Sequence, residues 1–404
     1  MKTAAVICEY NPFHNGHLAQ TEALRRRGID AVVAVLGGQF TQRGEAALAD
    51  KYLRAKAAVA SGAVDLVLEL PYPYSASPAR AFASAGVRIA NALGFCDCLA
   101  FGCEDAELSA LRTVAKSLRS DAFRANLKAL RDDKGNAALG SPLLRETALA
   151  GLIPDSLLPL LRKPNNILAL EYLQALEELS SPLLPLALPR TGAGHGEETL
   201  TEGTVSSAGA LRRELYTAGI RRLAPYLPKG SLAVYESALE NGRAPASLAL
   251  AERALLLSLS DPAEPLSSYA EAGGGLGEAI RKAAQRSSSL SDLYAALPTK
   301  RYTASRIRRA VLSCLLGTKA DDQAAPPAFT FLLAANDVGL SLLHKKENLG
   351  IKIITKPASL ETEFSGMRAP ELYERAERLY ALCTPAAGAG TDWLKKSPII
   401  LSPH

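Results

Sequence analysis

The residues best suited to chemistry in this sequence are two histidines near its start, His14 and His17, in the order His-Asn-Gly-His. An apolar run from Thr3 to Tyr10 predicts a strand before them, and the pattern from Leu18 onward is compatible with a helix. The first turn of a helix carries partial positive charge and unpaired N–H groups, so phosphate is its natural ligand. The two imidazoles can donate hydrogen bonds to phosphoryl oxygens as negative charge develops. The motif therefore predicts attack on the α-phosphorus of a nucleotide, with both histidines as catalytic residues.

A second helix entry, from Ser206 to Arg212, combines a serine pair with an arginine. We expect Ser206 or Ser207 to cap this helix. The segment can hold a terminal phosphate or pyrophosphate of ATP, and Arg212 would neutralise departing pyrophosphate as a third catalytic residue. Capping alone also accounts for the serines, so the functional interpretation depends on the co-occurrence with the histidine motif.

Two loops carry amides or a cation after predicted strands or before a predicted helix. The loop from Gly37 to Glu45 offers donors from Gln42 and Arg43 toward an anion, although an ordinary surface turn has the same composition. Farther along, Asn165 and Asn166 precede a predicted helix. One of them would cap that helix, which leaves the other to contact a base or ribose edge.

A cluster of five basic residues lies at the start of a predicted helix that runs to Leu316. Its members are Lys300, Arg301, Arg306, Arg308 and Arg309, with Tyr302 among them. Such a face can follow a phosphate backbone, which predicts binding of RNA. A solvated helix surface has the same composition, and the two interpretations stand about equal. The net charge of +5 is too small to identify a nucleic-acid partner by itself.

Length and composition describe a conventional enzyme with room for a large core. At about 150 residues per domain, 404 residues predict two or three domains. No run approaches the ~20 apolar residues that span a bilayer, so we expect no membrane span and a cytoplasmic location. The six cysteines are sparse and lie mostly in apolar runs, as reduced thiols do. Cys96, Cys98 and Cys103 lack the paired spacing of a zinc site, so no metal-ligating residues are predicted.

The elements that must position these residues alternate along the first third of the chain. Strands are predicted at Ala31 to Leu36, Asp65 to Leu70 and Cys98 to Phe101, and helices at Lys51 to Ala60 and Ala79 to Leu93. This alternation predicts an α/β fold with a parallel, Rossmann-like sheet over residues 1–224. Ligands of such sheets bind beyond the carboxyl ends of the strands.

The remainder of the chain, residues 225–404, has a different pattern. It is mainly helical, and a late strand from Ile351 to Thr355 indicates a small mixed α/β part. We expect this helical C-terminal domain to carry the RNA contacts because the basic cluster lies within it.

Taken together, these residues resemble a known family. The histidine motif and the serine-to-arginine segment look like the nucleotidyltransferase superfamily, whose sheet is shared with class I aminoacyl-tRNA synthetases. The sequence is more closely similar to the bacterial tRNA(Met) cytidine acetate ligases. Six segments in a shared order carry that resemblance: Glu9 to His17, Gln42 to Glu45, Asp65 to Pro71, Phe101 to Glu104, Lys163 to Leu168 and Lys300 to Tyr302.

The resemblance implies a two-step reaction. ATP and acetate form acetyl-adenylate with release of pyrophosphate, and the acetyl group then passes to N4 of the wobble cytidine of elongator tRNA(Met). Mg²⁺ is expected to accompany ATP. The ATP-binding residues that the resemblance implies are Ile7, Cys8, Glu9, Tyr10, Asn11, Pro12, Phe13, His14, Asn15, Gly16, His17, Leu18, Ala19, Gln20, Gly102, Asn165 or Asn166, and Arg190.

The chain departs from the family pattern at three places. Cys103 stands where serine is usual, Gly194 to Glu197 replaces a tyrosine-histidine-acid segment, and Phe331 to Asn336 lacks an expected arginine. The first two bear on details of the site, and the third bears on the C-terminal domain.

Two other functions stay open at this point. The His-x-Gly-His motif alone would also suit a nucleotidyltransferase that makes an adenylylated cofactor, which would release pyrophosphate without acetate. A non-catalytic nucleotide- or RNA-binding protein could use the same sheet and would bind ATP without turnover.

Overall fold

A sheet of eight strands organises the computed structural model, which describes residues 1–136, 139–190, 199–200, 203–299, 301–344 and 349–402. The strands are β1 (Thr3–Cys8), β2 (Ala31–Gly37), β3 (Leu66–Leu70), β4 (Cys98–Cys103), β5 (Leu184–Pro189), β6 (Phe329–Ala335), β7 (Lys352–Ile354) and β8 (Ile399–Ile400). Their order is β5-β4-β1-β2-β3-β6-β7, and β8 pairs with β6. The first five strands are parallel to one another, so the predicted Rossmann-like sheet is confirmed.

Helices connect these strands and build most of the second half of the chain. The helices up to β5 are α1 (Asn15–Arg26), α2 (Lys51–Ala60), α3 (Ala79–Ala92), α4 (Leu108–Leu118), α5 (Asp121–Asp132), α6 (Ser141–Leu149) and α7 (Pro164–Glu178). Those between β5 and β6 are α8 (Ala208–Ala218), α9 (Lys229–Glu240), α10 (Glu252–Ser260), α11 (Leu276–Ala284), α12 (Leu290–Ala295), α13 (Ala304–Leu316) and α14 (Ala320–Ala324). The last are α15 (Asp337–Leu343), α16 (Leu360–Glu363) and α17 (Arg368–Ala381).

The sheet is apolar on both faces because successive residues of a strand point to opposite sides and helices cover each side. Ala5 and Val33 belong to the core beneath α3, α4 and α7. Val6 and Ala34 belong to the opposite core, with α2, α8 and α9. Each fully buried valine or leucine contributes about 1.5–3 kcal/mol. This burial on two sides fixes the strand ends, and with them the loops that carry the candidate site residues.

The helical region has a core of its own, formed by α10 to α13 and α17. Phe40 and Tyr72, which follow β2 and β3, are part of that core. The helical region therefore packs against the loops at the carboxyl ends of the strands, and the predicted helical C-terminal region is confirmed.

The late strand predicted at Ile351 to Thr355 is present as β7, but it does not form a separate sheet. It pairs with β6, which lies antiparallel to β3 and so extends the N-terminal sheet. The C-terminal residues thus return to the first domain. The boundary between residues 224 and 225 stays a prediction.

Two further sequence expectations concern the membrane and the cysteines. Among the described residues no helix has both the length and the apolar character to cross a membrane. All six cysteines are free thiols. Cys103 is fully buried, with its sulfur 3.8 Å from the carbonyl oxygen of Leu188, and burial raises the pKa of its thiol to about 11. Cys103 therefore acts as a packing residue.

Candidate active site

A cavity of about 1090 Å³ opens at the carboxyl ends of the parallel strands. Its walls come from the N-terminal sheet and from the segment that leads into α13. The predicted site residues that line it are Ile7, Cys8, Glu9, Tyr10, Asn11, His14, Gly16, His17, Ala19, Gln20, Gly102, Asn165, Arg190, Ser206, Ser207, Arg212, Arg301, Arg306 and Arg309. The fold thus collects residues from distant parts of the sequence around one space.

The two histidines are held in fixed orientations at the start of α1. His14 is the N-cap residue, and its Nδ1 accepts a hydrogen bond from the N–H of Gly16 at 3.0 Å. Nδ1 of His17 accepts one from the N–H of His14 at 3.3 Å. Because each Nδ1 is an acceptor, each neutral ring carries its proton on Nε2. Both imidazoles therefore offer an Nε2–H donor within the cavity.

The glycine of this motif has a packing role. A Cβ on Gly16 would lie 2.8 Å from Cε1 of His14, closer than side-chain atoms approach. The imidazole of His14 can fold over the helix start only because no side chain stands there. The ring centroids of His14 and His17 are 3.9 Å apart as a result.

Both histidines are neutral in this environment. Burial lowers the pKa of His14 to about 3, and the guanidinium groups of Arg190 and Arg212 add to the effect. Burial also lowers the pKa of His17 well below its ordinary value, with smaller contributions from His14 and Arg190. A neutral ring donates a hydrogen bond without bringing another positive charge beside the arginines. The arrangement suits stabilisation of an anion rather than proton transfer.

The loop that carries the histidines is anchored by distant residues. The amide of Asn15 donates to the carbonyl oxygens of Thr204 and Pro225, both at 2.9 Å, and the N–H of Phe13 donates to the hydroxyl of Tyr235 at 3.1 Å. Four residues of the predicted ATP loop are not among the described residues that line the cavity: Pro12, Phe13, Asn15 and Leu18. They support the loop from behind.

The asparagine pair at the start of α7 corrects one prediction. Neither amide caps the helix, because the carboxylate of Glu104 accepts the N–H groups of Asn165 at 3.3 Å and Asn166 at 2.9 Å. The predicted asparagine cap is wrong because the loop after β4 supplies a negative charge, which a helix start binds more strongly. Asn166 is fully buried and its Oδ1 accepts the N–H groups of Glu104 and Asp105. Asn166 therefore shapes the loop, whereas Asn165 lines the cavity.

Gly102, Asn165 and Arg190 form one wall of the cavity. Nη1 of Arg190 donates to Oδ1 of Asn165 at 3.2 Å. A Cβ on Gly102 would lie 3.3 Å from Cγ of Arg190, so a larger residue there would push the arginine aside. The three predicted residues are brought together on the side of the cavity formed by β4 and β5.

The serine-to-arginine segment lies at the start of α8. Ser207 caps the helix, since its hydroxyl accepts the N–H of Ala210 at 3.1 Å, which confirms the predicted cap. Ser206 is only 2% exposed, and its hydroxyl has no hydrogen-bond partner among the described residues. Nη1 of Arg212 donates to the carbonyl oxygen of Asn11 at 2.7 Å, which ties α8 to the histidine loop. A buried hydroxyl without a partner costs about 1–3 kcal/mol.

The loop after β2 is part of the cavity wall and not an ordinary surface turn. Gln42 and Arg43 line the cavity, and the N–H of Gln42 donates to Oε1 of Glu9 at 2.7 Å. Beneath them, the fully buried Arg54 donates to the carbonyl oxygens of Glu9 at 2.6 Å and Gly37 at 2.9 Å. Charge-assisted bonds of this kind fix the main chain of both loops.

The basic cluster divides into two kinds of residue. Arg301 is exposed, Arg306 is half-buried, and their guanidinium carbons lie 5.3 Å and 4.7 Å from the ring centroid of Tyr302. Arg308 is paired with Glu45 at 2.7 Å. Lys300, the fifth member, lies outside the described residues, as does the departure at Gly194 to Glu197.

Arg309 is the member whose surroundings differ most from those of an RNA contact. It is 9% exposed, and its Nη2 donates to Oε2 of Glu271 at 2.7 Å while Nη1 donates to the carbonyl oxygen of Gln42 at 3.1 Å. These bonds join α13 to the loop after β2. Arg309 therefore belongs to the frame of the cavity.

Glu271 lines the cavity and was not among the predicted site residues. Its φ is +66°, a conformation that residues other than glycine adopt rarely and mainly at sites the fold constrains. The available signal in the sequence is an acidic residue directly before an alanine and three glycines. Among the described residues, no group of three or more His, Cys, Asp or Glu side chains could hold a metal ion.

Comparison with known proteins agrees with this geometry. The model of the family "HIGH Nucleotidyl Transferase" matches residues 1–392. The chain is 34% identical over 387 residues to the tRNA(Met) cytidine acetate ligase of Caldanaerobacter subterraneus subsp. tengcongensis, covering 95% of each chain. Thermotoga maritima TmcAL bound with alpha-thio ATP superposes with a TM-score of 0.89 and 25% identity over the full length of both chains. The apo form of that protein gives a TM-score of 0.91 and 26% identity over the same coverage.

Fold, histidine motif and family match together define a nucleotidyltransferase of the His-x-Gly-His class. Within that class the similarity extends over nearly the whole chain to one group of relatives. The chain therefore belongs to the tRNA(Met) cytidine acetate ligases of the HIGH nucleotidyltransferase family, and the resemblance stated from the sequence is confirmed.

Proposed function

We propose that the chain activates acetate with ATP as acetyl-adenylate and transfers the acetyl group to N4 of the wobble cytidine of elongator tRNA(Met). The observation that carries this proposal is one cavity whose walls hold neutral histidine donors on one side and the exposed Arg301 with the half-buried Arg306 on the other. The names of the relatives and the ATP analogue bound to the Thermotoga maritima protein support the same reaction. With tRNA as its substrate, the reaction would take place in the cytoplasm.

Activation begins with a carboxylate oxygen of acetate attacking the α-phosphorus of ATP. Negative charge then increases on the phosphoryl oxygens and on the departing pyrophosphate. The Nε2–H groups of His14 and His17 and the start of α1 would stabilise that charge. Gly102, Asn165 and Arg190 would hold the adenosine, because they form the wall beside β4 and β5 while the histidines stand at the end of β1.

Pyrophosphate would be held at the second helix start. Ser206, the N-terminus of α8 and Arg212 line the cavity there, and the hydroxyl of Ser206 has no hydrogen-bond partner among the described residues. Arg43 lines the same cavity and would add positive charge. Two helix N-termini facing one space favour a multiply charged anion over a single phosphate.

Mg²⁺ would be held chiefly by the phosphates of the nucleotide. Magnesium usually binds through one or two carboxylates together with substrate phosphates and water. The described residues offer no cluster of protein ligands for it, so none of the steps above is assigned to the ion.

Acetyl transfer requires the cytidine to reach the same cavity. Arg301 and Arg306, with Tyr302, would bind the RNA backbone near the wobble position. That base is single-stranded in the anticodon loop, so turning it into a pocket costs little.

The decisive experiment incubates the protein with ATP, labelled acetate and bulk bacterial tRNA, followed by digestion to nucleosides. We expect one labelled nucleoside, N4-acetylcytidine, and no label without ATP. Pyrophosphate release that does not depend on acetate would instead support an adenylylated cofactor as product. ATP binding without any turnover would indicate a non-catalytic nucleotide- or RNA-binding protein.

A further inference from the structure

We propose that Glu9 is the general base of the transfer step, which accepts a proton from the N4 amine of the cytidine as that nitrogen attacks the acetyl-adenylate. This inference rests on the proposed function. It gives Glu9 a task that ATP binding by the surrounding loop does not include.

Glu9 lies at the end of β1, the middle strand of the parallel part of the sheet. β1 lies between β4, on the side of the proposed adenosine wall, and β2. Glu9 follows β1, and its carboxylate is bonded to the N–H of Gln42 in the loop after β2 at 2.7 Å. Glu9 therefore occupies the side of the cavity away from Gly102 and Arg190.

The loop beside Glu9 packs against α13, the helix of the basic segment. The carbonyl oxygen of Gln42 accepts a hydrogen bond from Arg309 at 3.1 Å, and the loop contacts α13 so closely that a Cβ on Gly44 would lie 2.5 Å from the nitrogen of Arg309. Glu9 and Arg306 line the same cavity, and Gln42 links them because it contacts both Glu9 and the helix that carries Arg306.

Glu9 and Glu271 are the carboxylates among the described residues that line the cavity. The carboxylate of Glu271 is engaged by Arg309 through Nε at 3.2 Å and Nη2 at 2.7 Å, so it belongs to the frame of the cavity. His14, with a pKa of about 3, is a weak base. Glu9 is therefore the candidate general base.

The environment of Glu9 supports proton acceptance. Burial raises the pKa of its carboxyl, and the positive groups nearby offset only part of that rise. A base whose pKa lies closer to neutrality removes a proton more effectively. The titratable and charged groups that face Glu9 are Cys8 at the end of β1, Arg43 after β2, Arg54 in α2, Tyr172 in α7 and Arg212 in α8.

The transfer step forms one bond to the acetyl carbonyl carbon and breaks another. The lone pair of N4 forms a bond to the acetyl carbonyl carbon, the bond from that carbon to the phosphate oxygen breaks, and AMP leaves with the electron pair. The N4 proton passes to a carboxylate oxygen of Glu9, which later releases it to water. No metal, oxidant or further reactant is needed.

The test separates the two half-reactions in the variant E9Q. Enzyme-bound acetyl-adenylate is formed from ATP and labelled acetate, tRNA is added, and single-turnover transfer is timed; acetate-dependent ATP–pyrophosphate exchange is measured in parallel. We expect E9Q to slow transfer by about 100-fold or more while exchange falls by less than about tenfold. The control is E22Q, which removes an exposed carboxylate on α1 outside the cavity lining.

Two results would overturn the inference: E9Q transfers at the wild-type rate, or both half-reactions fall in the same proportion, which would assign Glu9 to ATP binding alone. If E9Q does not fold, the pH profile of wild-type transfer decides, because a general base gives a rate that rises with pH to a plateau and a flat profile would contradict it. If the wild-type protein shows no acetate-dependent exchange, the proposed function fails instead.

Discussion

The two walls of the cavity differ in how their charges are held. On the sheet side, His14 and His17 are neutral, and each ring has one nitrogen fixed by a main-chain N–H. On the helical side, Arg301 is exposed and Arg306 is stacked on Tyr302. The first wall has oriented donors that need no reorganisation during reaction, and the second has charges that attract a polyanion over a distance. Chemistry and RNA binding should therefore respond to different perturbations.

The largest effect should follow removal of an oriented donor. Replacing His17 with alanine should reduce acetate-dependent ATP–pyrophosphate exchange by at least ~100-fold, because one preorganised donor to the transition state is lost. The variant H17Q, which retains an Nε2–H group, should keep more activity than H17A. Exchange at the wild-type rate in a folded H17A protein would show that His17 has no catalytic role.

The helical wall should show the opposite pattern. Neutralising Arg301 and Arg306 together should weaken tRNA binding by about tenfold and reduce the salt dependence of log Kd by about two units, one per phosphate contact. Adenylate formation should persist because those residues lie on the RNA side. Binding measured by filter assay at several salt concentrations tests this, with R124Q, an exposed arginine of α5, as the control. Unaltered tRNA affinity would show that the segment is a solvated helix face that does not bind tRNA.

The contact between the two walls can be broken at one glycine. Gly44 has a φ of +77°, and a Cβ there would lie 2.5 Å from the backbone nitrogen of Arg309. Gly62 has a φ of +71° with nothing within 4 Å of its Cβ position, so G62A measures backbone strain alone. We expect G44A to lower the free energy of unfolding by about 1–3 kcal/mol more than G62A does, because overpacking is added to strain. Equal losses in urea titrations would show that the loop and α13 separate without cost.

A buried cluster below that loop makes the stability of the protein depend on pH. Lys51 lies 2.8 Å from Glu69 and 2.6 Å from Glu377 of α17, and it also contacts the hydroxyl of Tyr373. Burial raises the pKa of Glu69 from 4.5 to about 7 although Lys51 opposes the shift. The native state therefore holds a proton that the unfolded chain releases, and this contribution to stability is present in acid and is lost as pH rises through about 7.

The variant E69Q cannot titrate and isolates that contribution. The free energy of unfolding of E69Q minus that of the wild type should increase between about pH 4.5 and about pH 8. Urea titrations across this interval measure it. A difference that does not change with pH would mean that Glu69 stays ionised in the native state.

Much of the sheet wall could be predicted from local sequence. A strand, a His-x-Gly-His turn and a helix are contiguous, so the residues that make the motif also determine its place at the end of β1. The capping of α8 by Ser207 follows from the same local logic. These features depend on hydrogen bonds between residues near each other in the chain, and such bonds are visible as spacing.

The features that were missed depend on residues far apart in sequence. The cap of α7 is the carboxylate of Glu104, about sixty positions before it, and the partner of Arg309 is Glu271. The Glu104 cap cannot be recognised from the residues that neighbour α7 in the sequence. Composition cannot distinguish the buried Arg309 from the exposed Arg301 near it, because burial depends on which element packs over the helix.

The amino-acid sequence by itself determined the proposed reaction centre of this protein: the strand, turn and helix that orient two neutral imidazoles are specified within fewer than thirty residues. Only the tertiary structure decided what faces that centre. Packing of the helical region against the loops after β2 and β3 brings Glu271, Arg301 and Arg306 to the same cavity and buries Arg309. The physical reason is that hydrogen-bond and hydrophobic periodicity are local properties of a chain, whereas the enclosure of a cavity depends on contacts between its distant parts.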